Sequence, residues 1–234
     1  MKLLTIGCIA ALAAALSLAG CGKSDDKSVA GPAPKIEKFP ESTKISDLFP
    51  TTVGAQSAFK PTTGTGEMTL KVTDVQDMGG TKSVTVDVFQ NGDKSDTIKW
   101  RVSDEGIFQE TARNGKPYNP PQPVVGPAVK DTKQVDYNGN GPYPSVNKDE
   151  PVSGPLKGIL RNRGIEVVDT GMGQIEALAV ESIYQYSAGK NTYRVSNVTW
   201  FAPKYGIVRM LQQTQRSDGQ TQSFSMKLTS FRSK

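Results

Sequence analysis

The sequence predicts an all-β or mostly β fold: a single curved antiparallel sheet, half-barrel-like, with one long Pro/Gly-rich loop. Three observations lead there. Apolar residues recur at every second position through the body of the chain, as in Met68, Leu70 and Val72 with Thr69, Lys71 and Thr73 between them. Dipeptides that favour two-residue hairpin turns, Asn91-Gly92 and Asn114-Gly115, separate such runs. No stretch carries a sustained helical period, and residues 155–163 are the one place where a helical turn or two fits.

Taken in order, Val84, Val86 and Val88 make the strand before Asn91-Gly92, and Ile98, Trp100 and Val102 the strand after it. Residues 107–112 run up to Asn114-Gly115. In the second half Leu178, Val180, Ser182, Tyr184 and Tyr186 share one face, while Ala177, Ala179 and Ile183 hold the other. Both faces of that strand are therefore partly apolar. Tyr193, Val195 and residues 198–201 follow, and Pro203 with Gly206 reads as a turn, because proline cannot donate to a ladder and glycine accepts a left-handed conformation. Residues 207–211 and the run Phe224, Met226, Leu228 flank Ser217-Asp218-Gly219 as a closing hairpin. The total is about nine or ten strands of ordinary length. Trp200 and Phe201 point to opposite faces, and Trp200 reads as a packed structural aromatic.

Between the two halves, residues 115–160 contain Pro117, Pro120, Pro121, Pro123, Pro127, Pro142, Pro144, Pro151 and Pro155. Each proline removes a backbone donor, so the stretch is expected to be a loop and not a central strand. Loops of that length in compact domains are functional or poorly ordered.

Composition narrows the chemistry. The 234 residues include 28 Lys+Arg, 23 Asp+Glu, two cysteines and no histidine. Without imidazole there is no Ser-His-Asp or Cys-His catalysis and no His-ligated zinc or haem. Both cysteines, Cys8 and Cys21, lie near the N-terminus, which leaves the body without a disulfide or a thiolate nucleophile.

The N-terminus has a short positive start, Met1-Lys2, followed by an apolar run over residues 3–18 that is too short and alanine-rich for a comfortable membrane span. Leu18-Ala19-Gly20-Cys21 resembles the lipobox of bacterial envelope lipoproteins. The resemblance implies cleavage before Cys21, thioether lipidation of its sulfur and acylation of the new amino terminus, with palmitate-type chains as the anchor. Each buried CH₂ contributes about 0.8 kcal/mol, so two or more chains hold stably. Gly22 stands where an Asp would resemble an inner-membrane retention signal, so the expected address is the outer membrane, facing the periplasm. The predicted division is a signal peptide over residues 1–20, lipidated Cys21 with a polar tether over 21–44, and one β-rich domain over 45–234.

Two further phrases resemble a group of envelope lipoproteins related to lipoprotein-carrier-like half-barrels. Leu48-Phe49-Pro50 with Gly54 is similar to the opening of that β-domain, and Thr199 through Val208 to its closing strand-turn-strand. Ser57 and Phe59 stand where the group places a Trp and a Tyr, and Gly171-Met172-Gly173 replaces its usual turn. The resemblance implies a curved antiparallel sheet and no particular activity.

Candidate chemistry is sparse. Asp136-Tyr137-Asn138-Gly139-Asn140-Gly141 fits the first half of a calcium loop, with oxygens from Asp136, Asn138 and Asn140 converging on one side of a tight turn. Asn147 occupies the position of the bidentate Glu, so any calcium binding is expected to be weak. Asp104-Glu105, Asp149-Glu150 and the pair Glu176 and Glu181 read as solvated carboxylates. Ser57 and Lys60 have the spacing of a Ser-Lys pair, but Pro61 denies them a helix. Lys157, Arg161 and Arg163 form a small basic cluster suited to anionic lipid or glycan, not nucleic acid.

The expected function is that of a lipid-anchored, non-catalytic envelope binding protein. Its partners would be the bilayer, through acylated Cys21, and an apolar ligand or envelope-protein segment held on the curved sheet. The alternative is a structural or interaction lipoprotein without a small ligand. No cofactor other than calcium is expected, and the ligand-binding residues are not identified by the sequence.

Overall fold

The computed structural model describes residues 35–112, 115–127, 129–130, 132–144 and 152–233. After a two-residue strand β1 (Ile36–Glu37) and a 3-10 turn (Ile45–Leu48) come β2 (Gln56–Pro61), β3 (Met68–Asp77), β4 (Lys82–Gln90), β5 (Asp93–Ser103) and β6 (Gly106–Ala112). They are followed by β7 (Lys116–Val125), β8 (Val135–Pro142), β9 (Ser153–Thr170), β10 (Gly173–Ala188), β11 (Asn191–Ala202), β12 (Gly206–Arg216) and β13 (Thr221–Arg232). The predicted turns that are fully described form as the residues dictate. Asn91 and Gly92 have φ of 53° and 91°, the pair of positive values that a type I′ hairpin requires, and Ser217-Asp218-Gly219 joins β12 to β13.

From β2 to β13 each strand pairs antiparallel with the next. The expected half-barrel is corrected at the seam: β13 pairs with β2, through Met226↔Pro61, Lys227↔Lys60 and Leu228↔Phe59, and closes a twelve-stranded antiparallel barrel. Closure satisfies two rows of backbone groups that an open sheet would leave as edges. β1 adds a short parallel pairing at Gln174 and Ile175 of β10.

The Pro-rich stretch is also corrected, since most of it is strand. β7 carries Pro117, Pro120, Pro121 and Pro123 within the barrel wall. The prolines do weaken the ladder: β6 and β7 pair with two register shifts, and β7 meets β8 at the single pair Asn119↔Asn140. Residues 155–163, where a helical turn was allowed, lie inside β9.

Two clusters fill the interior. The larger is aliphatic and includes Leu48, Phe59, Val84, Ile107, Phe201 and Leu228. The smaller gathers six of the seven tyrosines, Tyr118, Tyr137, Tyr143, Tyr184, Tyr186 and Tyr193, around Leu156 and Val195. Tyr143 stacks on Tyr186 at 4.4 Å and Tyr186 on Tyr193 at 5.1 Å between ring centroids, while Tyr137 meets Tyr184 edge-on at 6.2 Å. Glycines on β8 and β9 make room for the rings. A Cβ at Gly141, Gly154 or Gly158 would run into Tyr118, Tyr143 or Tyr184 respectively.

The opening and closing phrases meet in space. Phe49 packs on Trp100 at 5.0 Å, and the amide of Lys204 donates to the carbonyl of Asp47 at 3.2 Å. Gly206, at φ 74°, turns the chain so closely that a Cβ would sit 2.7 Å from Cδ of Pro50. On β10 the consecutive residues Ala177, Leu178, Ala179 and Val180 are all buried, so this strand is covered on both faces. The hairpin of β9 and β10 is pinned to β13 at its tip, where the amide of Gly171 donates to Leu228 O at 2.6 Å.

Candidate functional site

The lumen between the two clusters is not filled. A cavity of about 360 Å³ lies there, a size that suits a small ligand. Two polar rows, set by strand register, line opposite walls. On one wall Ser182 of β10 pairs with Asn197 of β11, and Asn197 with Gln212 of β12. Across the lumen Trp100 of β5 pairs with Gln109 of β6, and Gln109 with Gln122 of β7. All six side chains line the cavity, together with Tyr118, Tyr143, Tyr184, Phe201 and Met210.

These amides occupy inward positions, where alternation elsewhere places Val, Leu or Phe. Burying an amide without a partner costs about 1–3 kcal/mol, so a core used for stability alone would avoid the arrangement. Some of the donors are used locally. Asn197 Nδ2 donates to Ser182 Oγ at 3.4 Å, Gln212 Nε2 to Thr214 Oγ1 at 3.4 Å, and Gln109 Nε2 to the carbonyl of Thr111 at 3.2 Å. Asn197 Oδ1 is buried and accepts no hydrogen bond. Tyr184 donates its hydroxyl to the carbonyl of Pro123 at 3.2 Å, and burial pushes its pKa up to about 12. Burial likewise pushes Tyr137 up to about 12, with its hydroxyl donating to Pro120 O at 2.9 Å. Both phenols therefore stay neutral near pH 7. Asp96 is the only carboxylate among the described lining residues, which include no Lys or Arg. The wall offers neutral hydrogen-bonding groups beside aromatic faces.

A larger cleft of about 610 Å³ lies outside the lumen, between the 3-10 turn and neighbouring loops. Its polar groups are committed to one another. Ser46 donates to Asp104 and holds that carboxyl below its usual range, Lys44 stands 3.4 Å from Asp104, and Lys82 reaches Thr51 at 3.1 Å. The lumen, with its rows of inward polar side chains, is the stronger candidate.

The residues singled out in the sequence fall elsewhere. Cys21 lies outside the described residues, as do Asp149 and Glu150. Asp136, Asn138 and Asn140 sit on β8, not in a tight turn. That expectation is corrected by the alternation itself: Tyr137, Gly139 and Gly141 are buried, and the three oxygen-bearing side chains project outward at every second residue. Successive ones stand about 7 Å apart along the strand, too far to converge on one ion. Gln134 instead donates to Asp136 Oδ1 at 2.6 Å. Among the described residues no three His, Cys, Asp or Glu side chains are grouped as a metal site.

Glu176 and Glu181 face opposite sides of β10 and each has a cation. Lys38 donates to Glu176 at 2.6 Å and holds its carboxyl below the usual range, and Arg161 donates to Glu181 at 2.6 Å. Arg163 stands 3.4 Å from Glu166, so two members of the suspected basic cluster are neutralised. Ser57 is buried in the barrel while Lys60 is exposed on the opposite face of β2. Trp200 shares the outer face with Ala179 by register, and its Nε1 donates to Glu166 Oε2 at 2.9 Å. Sequence reasoning missed the polar rows, although a signal was present: Ser182, Asn197 and Gln212 occupy the same face as Val180, Val195 and Met210.

No family model matches the chain, and no curated protein matches it. Among solved structures, a lipoprotein candidate from Parabacteroides distasonis is similar in fold, with a TM-score of 0.54 and 14% identity over 79% of this chain and 98% of that one. An exported-protein candidate from Bacteroides fragilis, described as having a YmcC-like fold, aligns over the same shares at 14% identity with a TM-score of 0.47. At this identity the first of these shows a common fold and nothing more.

Proposed function

We propose that this protein is a lipid-anchored, non-catalytic binding protein of the cell envelope, held at the outer membrane through Cys21 and facing the periplasm. The observation that carries the binding reading is the row Ser182–Asn197–Gln212, polar side chains that line an unfilled lumen at positions where alternation elsewhere places apolar ones. The lumen suits a small neutral molecule with hydrogen-bonding groups on one side and a flat or apolar face for Trp100, Tyr118 and Tyr143. This sharpens the expected apolar ligand into a mixed one. A fatty acid or a phosphate would bring a negative charge to a described lining that offers Asp96 and no cation. The lipobox-like residues 18–21 support the anchor.

Native mass spectrometry of the full chain, purified in a non-ionic detergent, tests the reading. A co-purifying neutral molecule is expected, and Asn197→Leu should weaken its retention by about 10-fold or more, which is about 1.4 kcal/mol. Wild type and variant both emerging without a bound molecule would favour the structural lipoprotein instead.

A further inference from the structure

The outer wall carries a second feature that the lumen does not explain. Arg209 of β12 pairs directly with Lys227 of β13, and Lys227 with Lys60 of β2. All three lie on the outward face, because their neighbours Met226, Leu228 and Phe59 are buried in the barrel. Adjacent strands stand about 4.8 Å apart, so three cations occupy roughly 10 Å of surface. Like charges directly opposite in a sheet repel, and such a row is normally broken by a carboxylate. Here none intervenes. Among the described residues, ion pairs engage Lys38, Lys44, Lys94, Arg161, Arg163 and Arg216, but not Arg209, Lys227 or Lys60. Glu67, just before β3, takes part in none of these ion pairs. Glu166 is occupied by Trp200 and Arg163.

Arg209 supplies a second, independent sign. Its guanidinium carbon lies 5.3 Å from the centre of the Trp200 ring, a cation–π contact that holds the group against the indole with Nε enclosed. A guanidinium held against an indole, offering its terminal N–H groups beside two ammonium groups, is a donor set that phosphate oxygens accept. We infer that Arg209, Lys227 and Lys60 form a site for a phosphate group, presented either by an anionic lipid headgroup or by a soluble phosphate. Trp200 acts there as the platform that positions Arg209. The row differs from Lys157, Arg161 and Arg163, the cluster visible in the sequence, of which two members already have carboxylate partners.

The test uses the full chain in a non-ionic detergent and follows tryptophan emission and the melting temperature. The probes are inorganic phosphate, a short-chain phosphatidylglycerol and a short-chain phosphatidylcholine. A saturable change in emission and a raised melting temperature are expected with phosphatidylglycerol, with phosphate, or with both. Lys227→Ala and Lys60→Ala, each at a half-buried or exposed position that folding tolerates, should weaken the apparent affinity about 10-fold or more. Arg161→Ala should leave it unchanged. A response to phosphatidylglycerol alone assigns the membrane as the source, and a response to inorganic phosphate assigns a soluble anion. A response to phosphatidylcholine equal to that of phosphatidylglycerol would overturn the inference. So would the absence of any response, or lysine variants that bind like wild type.

Discussion

The aliphatic and tyrosine clusters fill one barrel by different physics. Around Phe59, Phe201 and Leu228 the ladders are long, with single bulges beside Phe201 and Leu228, and large apolar side chains are removed from water, each contributing about 1.5–3 kcal/mol. The tyrosine cluster joins the regular β10–β11 hairpin, which carries Tyr184, Tyr186 and Tyr193, to the wall of β7, β8 and the start of β9, where prolines interrupt the pairing of β7. There the backbone contributes fewer ladder bonds, and stacked rings seated on glycines hold the strands in place. Ring contacts add about 0.5–1.5 kcal/mol per pair beyond burial, and hydroxyls donate to the carbonyls of Pro120 and Pro123 in the proline strand itself. A strand too rich in proline for a full ladder is thus retained in the wall by side chains. Between the two regions neither packing scheme closes, and that gap is the lumen.

Breaking each region in turn tests the contrast. Phe201→Ala removes a fully buried ring from the aliphatic side and should cost about 3–5 kcal/mol, a large share of a domain's stability of about 5–15 kcal/mol; urea denaturation measures it. On the outer face Trp200→Ala should cost about 3 kcal/mol, whereas Trp200→Phe should lose less because its ring still covers Ala179; paired thermal melts compare them. In the tyrosine region Gly158→Ala should cost about 1–3 kcal/mol through collision with Tyr184. Its signature is loss of near-ultraviolet tyrosine dichroism with the strand signal retained. Tyr186→Leu sharpens the point, since it keeps much of the burial and loses two stacks, for about 1–3 kcal/mol in total.

The mildest perturbation is alkaline pH. Tyr137 and Tyr184 have folded pKa values raised from 10.0 to about 12 by burial, so the folded state holds their protons more tightly than the unfolded state. Their contribution is complete below pH 10 and is lost as the pH rises toward 12. The melting temperature should fall across that window, and Tyr137→Phe should flatten the fall.

Much of the strand content was legible because alternation is a local property. Val84, Val86 and Val88 announce a half-buried strand, and Asn91-Gly92 its turn, without reference to any partner. The closing turn at Pro203 and Gly206 was legible for the same reason. Closure was not, because it rests on β13 meeting β2, some 170 residues away in the chain. The proline strand was misread because the rule that proline excludes a central strand assumes a complete ladder, and Tyr137 and Tyr184 supply what the ladder lacks. The calcium pattern failed in a related way: Asp136, Asn138 and Asn140 match a turn motif, but alternate spacing serves a strand equally well, and Tyr137 settles the choice by facing inward.

The sequence by itself determined which residues can form strands, where several of the chain's turns fall, and that imidazole and thiolate chemistry are absent from the body. Those are consequences of side-chain identity and near-neighbour geometry. Only the tertiary structure decided that the sheet closes, that Ser182, Asn197 and Gln212 form one row inside, and that Arg209, Lys227 and Lys60 form one row outside. The physical reason is register. Side chains far apart in the chain become neighbours only when hydrogen-bonded strands align them, and the alignment is set by packing of the whole barrel.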